Sequence, residues 1–312
     1  MKACNALVVA VLVACFLSAP ARAQFTEIVA FGDSLTDTGN IYAATNGLFP
    51  PPEVYHQGRF CNGLLWVEWL AMQLGVPAPR PFLQGGTNYA FGGAETSVSG
   101  LSSRETPNIG TQIGLYLQTH AAFTDDQLIV LWGGANDFLN AEQTDPAVPV
   151  ANLSAEITML AAAGATTIVI PNMPPLGQTP RYVSDDFKKA LDDLAIEFNN
   201  LLDAELDVLE NQLGITFIRL DTFSLFQRFL KQPKAFGFSN VTETALLSLN
   251  GEVGLGEVVA NPDQYLFWDA VHPTRITHRE LGDLRNYIRY WGHDSGGLKW
   301  TPIPAASKKG GS

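Results

Sequence analysis

Four apolar runs punctuate the chain: Ile28 to Phe31, Gln127 to Trp132, Thr166 to Ile170 and Ile215 to Leu220. They are continuous rather than alternating, which fits parallel strands covered on both faces. Between them, apolar residues recur at helical spacing. Gly63 to Leu74 carries Leu64, Leu65, Val67, Trp69, Leu70 and Leu74, and Asn152 to Ala163 is rich in Ala and Leu. The longest helical stretch, Asp185 to Leu213, carries Leu191, Leu194, Ala195, Phe198, Leu201, Leu202, Leu206 and Leu209 at helical spacing. Ser184 stands at its N-cap position and Gly214 ends it. A last helix is predicted from about Thr274 to Trp291, with Pro273 near its start. Alternating strand and helix predicts an α/β doubly wound sheet, whose ligands gather at the carboxyl ends of the strands. Two Gly/Pro/Ser-rich stretches, Asn46 to Arg59 and Glu95 to Gly110, read as loops. No repeat, long linker or composition break appears, so one domain is expected over residues 24–295, followed by a flexible tail over 296–312.

The first residues change the picture of where the chain works. Lys2, the apolar stretch Ala6 to Leu17 and the small-x-small site Ala21-Arg22-Ala23 make residues 1–23 an expected secretory signal, too short an apolar run for a membrane span. Secretion, extracellular or periplasmic, is the expectation. Leu12-Val13-Ala14-Cys15 also resembles a bacterial lipoprotein site, so anchoring at Cys15 stays open as an alternative. Without the signal the formal charge falls from -12 to -14, with 17 Lys and Arg against 31 Asp and Glu. That surface disfavours nucleic acid and anionic lipid as electrostatic partners. Of three cysteines two lie in the signal, so Cys61 has no partner for an intrachain disulfide and reads as a small buried hydrophobe.

Candidate chemistry sits in four short segments. The first, Phe31-Gly32-Asp33-Ser34-Leu35-Thr36-Asp37-Thr38-Gly39-Asn40, puts a serine where a strand gives way to a Gly/Asp-rich loop. A following helix N-terminus there offers backbone N–H groups to an oxyanion. The second and third, Thr87-Asn88-Tyr89-Ala90-Phe91-Gly92-Gly93-Ala94 and Trp132-Gly133-Gly134-Ala135-Asn136-Asp137-Phe138, combine glycines with an Asn able to donate its amide. The fourth, Asp269-Ala270-Val271-His272-Pro273-Thr274, spaces an acid and an imidazole so that the carboxylate can fix the ring's tautomer. Each segment alone has a plainer reading as a cap or turn; the set of four does not.

Together they resemble the GDSL, or SGNH, hydrolase family, whose four blocks carry Ser, Gly, Asn and His. The extended block GDSLTDTGN and the segment Gly58-Arg59-Phe60-Cys61-Asn62-Gly63, with Trp66 and Glu68, look like its plant-lipase-like subgroup, Cys61 standing where Ser is common. The resemblance implies a three-layer α/β/α sandwich, flavodoxin-like, with a central parallel sheet of about five strands. It implies a triad of Ser34 as nucleophile, His272 as base and Asp269 as its orienter. It further implies an oxyanion hole from the Ser34 and Gly93 backbone N–H groups and the Asn136 side chain, Gly92 being an adjacent rival for Gly93. Asp33 and Asp37 are read as organisers of the first loop. No cofactor or metal is expected: His-Glu-x-x-His and Cys/His clusters are absent, as is the Gly-x-Ser-x-Gly elbow. Phe91, Trp132, Phe138, Phe267, Trp268 and Val271 flank the blocks and belong either to a substrate pocket or to the core. The expected activity is secreted carboxylester hydrolysis on a small-molecule or lipid ester. Phospholipase, carbohydrate acetylesterase, acyltransferase and, in another class, an inactive binding protein are the alternatives.

Overall fold

The computed structural model describes residues 25–248 and 253–287. The expected signal, the tail, Cys15 and the end of the last predicted helix lie outside the described residues.

Strands β1 (Glu27–Gly32), β2 (Gln127–Trp132), β3 (Thr167–Pro171) and β4 (Thr216–Leu220) form a parallel sheet in that order. Residues 87–91 run along the free edge of β1. The Ala30 N–H donates to the Thr87 carbonyl (3.0 Å), and the Tyr89 and Phe91 N–H groups donate to Ala30 (2.7 Å) and Gly32 (3.1 Å). This segment takes the place of the fifth expected strand, although its regular pairing reduces to a bridge at Asn88. The Asn88 and Ala90 carbonyls turn instead to the Asn40 side-chain amide, each at 2.8 Å. With it included, the spatial order reads second, first, third, fourth, fifth in the chain, which places a ligand crevice at the carboxyl end of β1.

Helices cover both faces. Val29, Phe31, Ile129, Leu131, Ile168, Ile170 and Phe217 point to one core. They pack there with α3 (Ile109–Thr119), α5 (Ala147–Ala162) and α6 (Asp185–Leu213). Ile28, Ala30, Leu128, Val130, Trp132, Val169 and Leu220 point to the other. That side is closed by α2 (Trp66–Leu74), α7 (Thr222–Lys231) and α8 (Arg275–Gly282). Period-two side-chain alternation with apolar residues at both phases is what made the strands read as continuous runs.

The long helix α6 has the predicted bounds, and Gly214 ends it in the left-handed conformation (φ 67°). Ser184 occupies the N-cap position, though its side chain makes no capping bond. The last predicted helix is shorter than expected, because α8 ends at Gly282 and a 3-10 turn, Leu284–Asn286, follows. Three short elements, α1 (Asn40–Ala44), α4 (Ala135–Leu139) and β8 (Tyr265–Phe267), lie where the four segments need support. β8 pairs in parallel with β5 (Asn240–Thr244), and β6 (Leu246–Ser248) pairs antiparallel with β7 (Gly256–Val258).

Candidate active site

Ser34 sits two residues beyond β1, on a turn closed by the Thr36 and Asp37 N–H groups donating to the Asp33 carbonyl (3.0 and 2.9 Å). No helix follows immediately: α1 waits until Asn40. Asp37 fixes that delay, because its carboxylate accepts from the N–H groups of Gly39 (2.8 Å), Asn40 (2.6 Å) and Ile41 (3.2 Å). Its Oδ2 also accepts from the Gly92 N–H at 3.0 Å, tying the first segment to the second. Asp33 in turn accepts from the Leu35 N–H at 3.0 Å. Burial pushes both carboxyls up, to about 6, against the pull of these backbone donors.

The base of the turn is braced from below. Gln112 of α3 accepts from the Gly32 N–H (2.9 Å) through Oε1 and donates to the Gly32 carbonyl (2.9 Å) through Nε2. This side chain gives the Gly32 N–H its acceptor and the Gly32 carbonyl a second donor beside the Phe91 N–H, at the end of β1.

His272 closes the constellation. Its Nε2 lies 2.8 Å from Ser34 Oγ, and its Nδ1 lies 2.9 and 2.8 Å from the two Asp269 oxygens. Asp269 is fully buried and also accepts from the backbone N–H groups of Val271 (3.0 Å) and His272 (2.8 Å). Burial by itself would raise this carboxyl. The His272 charge, the Nδ1–H bond and the two backbone donors outweigh it and hold Asp269 below the ordinary carboxylate range. Nδ1–H therefore faces a carboxylate and leaves Nε2 to accept from the serine hydroxyl.

Two further residues support this ring, and neither contact was read from the sequence. Tyr55 donates its hydroxyl to Asp269 Oδ2 at 2.7 Å, and burial and the Asp269 charge keep the phenol protonated. Phe60 lies against the His272 ring with centroids 5.3 Å apart and planes tilted by 30°. Tyr55 comes from the Gly/Pro-rich loop, legible only by its turn-forming composition, and Phe60 from the Gly58–Gly63 segment that carried the subgroup resemblance. The Arg59–Glu68 pair, at 2.7 Å for both contacts, anchors that loop to α2.

The other histidine near this region, His278, is fully buried on α8 and accepts from the Trp66 N–H through Nδ1 at 3.3 Å. Burial, and next the His272 charge, push it down to about 3, which favours the neutral ring. Cys61 is fully buried and burial pushes its thiol up, as befits the small hydrophobe read from the sequence.

Gly93 and Asn136 line the same cavity as Ser34 and His272. The Gly92 N–H is spent on Asp37, which separates the two neighbouring glycines. Gly93 has φ +82°, and a Cβ there would press on Arg104 at 3.0 Å. Asn136, on α4, donates one amide hydrogen to the Ala94 carbonyl at 2.8 Å and accepts at Oδ1 from Asn140 at 2.7 Å. The cavity measures about 800 Å³. Ile41, Phe49, Leu139, Leu176 and Phe226 give it apolar walls. Of the aromatic and aliphatic residues flanking the four segments, Phe267 and Val271 reach it, whereas Phe91, Trp132, Phe138 and Trp268 are buried without lining it.

The family model described as GDSL-like Lipase/Acylhydrolase matches residues 28–284. The chain belongs to that family. The GDSL family comprises serine ester hydrolases, and the four matched segments hold the residues that meet around Ser34. Among its curated relatives, the thermolabile hemolysin of Vibrio parahaemolyticus serotype O3:K6 (strain RIMD 2210633) is 29% identical over 278 residues. That match covers 83% of this chain and 63% of the hemolysin, so the chain spans less than two thirds of that relative. A phosphatidylcholine-sterol acyltransferase from Aeromonas hydrophila is 28% identical over 311 residues, covering 85% of this chain and 90% of the relative. The plant acetylajmalan esterase 2 of Rauvolfia serpentina is 28% identical over 323 residues, covering 82% of this chain and 88% of the relative.

Proposed function

We propose that the protein cleaves carboxylic esters through an acyl-enzyme on Ser34, with His272 as base and then acid and Asp269 as its orienter. The observation that carries this is the unbroken line from Ser34 Oγ through His272 to the buried Asp269, every contact between 2.8 and 2.9 Å. In the first half-reaction Ser34 Oγ bonds to the ester carbonyl carbon while its proton passes to His272 Nε2. The tetrahedral oxyanion then collapses, the alcohol leaves with that proton, and water repeats the sequence to release the acid. The oxyanion rests on the Ser34 and Gly93 N–H groups and the second amide hydrogen of Asn136. Gly93 is preferred to Gly92 because the latter's N–H is engaged by Asp37.

The apolar walls around Phe49, Leu176 and Phe226 suit an acyl chain. We place the substrate among lipid-like esters. Acyl transfer to a second alcohol is the other reading, favoured by the cavity volume and by the acyltransferase relative. We also place the enzyme outside the cytoplasm, on the expected signal over residues 1–23; N-terminal sequencing of exported protein should begin at Gln24.

A p-nitrophenyl ester series from acetyl to palmitoyl tests the reading. Each methylene that enters the cavity contributes about 0.8 kcal/mol, so kcat/KM should climb about fourfold per carbon until the cavity is full. Ser34→Ala should lose at least about a thousandfold in kcat, and a fluorophosphonate should label Ser34 in the wild type alone. Wild-type protein that neither turns over any chain length nor takes the label would overturn the proposal. Adding a long-chain alcohol then separates transfer from hydrolysis by the product formed.

A further inference from the structure

The Asn136 amide has to face one way. Its Oδ1 accepts from Asn140 Nδ2 at 2.7 Å and its Nδ2 donates to the Ala94 carbonyl at 2.8 Å. Turned by 180°, it would set two NH2 groups against each other at one end and two carbonyl oxygens at the other. Asn140, however, is itself an amide and can flip just as readily, so it fixes Asn136 only if something fixes Asn140. Arg104 does. Its guanidinium donates to Asn140 Oδ1 at 3.1 Å, and a guanidinium has no acceptor with which to tolerate the flipped amide.

From these contacts we infer that Arg104 and Asn140 are positioning residues for the oxyanion hole, a role that rests on the esterase reading above. The chain of donors has one direction, from guanidinium to Asn140, from Asn140 to Asn136, and from Asn136 to the reacting oxygen. A cation at its head polarises each amide in turn, strengthening the last donor where negative charge develops. The fold makes the arrangement local at one end and long-range at the other. Asn140 lies one helical turn beyond Asn136 and caps α4, its own N–H donating to the Asn136 carbonyl at 2.9 Å. Arg104 comes from the loop before α3, against Gly93, so it also spans the two segments that supply the proposed donors. Among the described residues no carboxylate lies within ion-pair distance of Arg104.

The test is a double-mutant cycle on the full-length enzyme with p-nitrophenyl esters. Removing an oxyanion donor outright costs about a hundred- to a thousandfold in kcat, so Asn136→Ala should fall in that range and Asn140→Ala should lose about ten- to thirtyfold with KM within about twofold. Asn140→Asp should lose more than Asn140→Ala, since a carboxylate cannot donate to Asn136 Oδ1 and repels it. Arg104→Lys should retain most of the activity that Arg104→Ala loses. In the Asn136→Ala background the Asn140→Ala loss should vanish, because Asn140 then has nothing to orient. Thermal melts of each variant separate these effects from unfolding. An Asn140→Ala loss that persists in full in the Asn136→Ala background, or that lies in KM alone, would overturn the inference and leave the esterase reading intact. A wild type with no turnover and no Ser34 labelling would overturn both.

Discussion

Asp269 shows how a single carboxylate is kept ionised where burial opposes it. Four donors converge on it: the His272 ring, two backbone N–H groups from its own loop, and the Tyr55 hydroxyl. Tyr55 is the one of these that a mutation removes cleanly. Tyr55→Phe leaves Oδ2 with only the imidazole, in a place water does not reach, and a lost bond to a buried charge costs about 1–3 kcal/mol. Denaturant melts should show destabilisation of that size. If about 1 kcal/mol of it falls in the transition state, kcat drops about fivefold with little change in KM. An unchanged kcat would mean that the backbone donors alone suffice to hold Asp269.

Between elements, the first loop and the residue 87–94 segment act as one piece. Asp37 joins them through the Gly92 N–H, and Gly92 also clears room for Phe60, whose ring would meet a Cβ at 2.4 Å. Phe60 lies in turn on the imidazole of His272. Gly92→Ala therefore forces Phe60 off the ring, at an overpacking cost of about 1–3 kcal/mol. Both Tm and kcat should fall, and shortening the aromatic in Gly92→Ala/Phe60→Leu should recover more Tm than the single changes predict by addition. Strict additivity would show that the two side chains do not meet. The same logic of one element serving another appears at β4, where the buried Arg219 donates to Asp203 (2.5 Å) and Asp207 (2.8 Å) on α6. Part of the acidic side of that helix therefore pairs with a strand.

Across the whole molecule, burial of carboxyls sets a pH dependence of stability. Asp33, Asp37 and Asp137 are pushed up to about 6, chiefly by burial. Glu156 stands well above its ordinary range through burial and, next, the charge of Asp137. Raised groups hold protons in the folded chain that the unfolded chain has released, so unfolding free energy falls as pH rises from the ordinary carboxylate range to about 6, and above that only as Glu156 gives up its proton. Glu156→Gln keeps an acceptor for the Ser97 N–H, now at 3.1 Å, and cannot titrate. Urea melts between pH 5 and 9 should show the variant's slope flatter by up to about 1.4 kcal/mol per pH unit, and the variant more stable than wild type at the alkaline end. Parallel slopes would show that Glu156 keeps an ordinary pKa.

The sequence by itself determined the parallel strands, the bounds of α6, and Ser34, Gly93, Asn136, Asp269 and His272 as the residues to watch. These are local signals: apolar runs, helical spacing and residues a few positions apart on one loop. Only the tertiary structure decided that Ser34 and His272, 238 residues apart, stand 2.8 Å from each other. It alone separated Gly92 from Gly93, by spending one N–H on Asp37, and showed the fifth strand as a single bridge beside β1. Tyr55, Phe60, Gln112, Arg104 and Asn140 were likewise invisible as partners. Each acts on a residue through space, and no spacing along a chain encodes a contact that the packing of other elements creates.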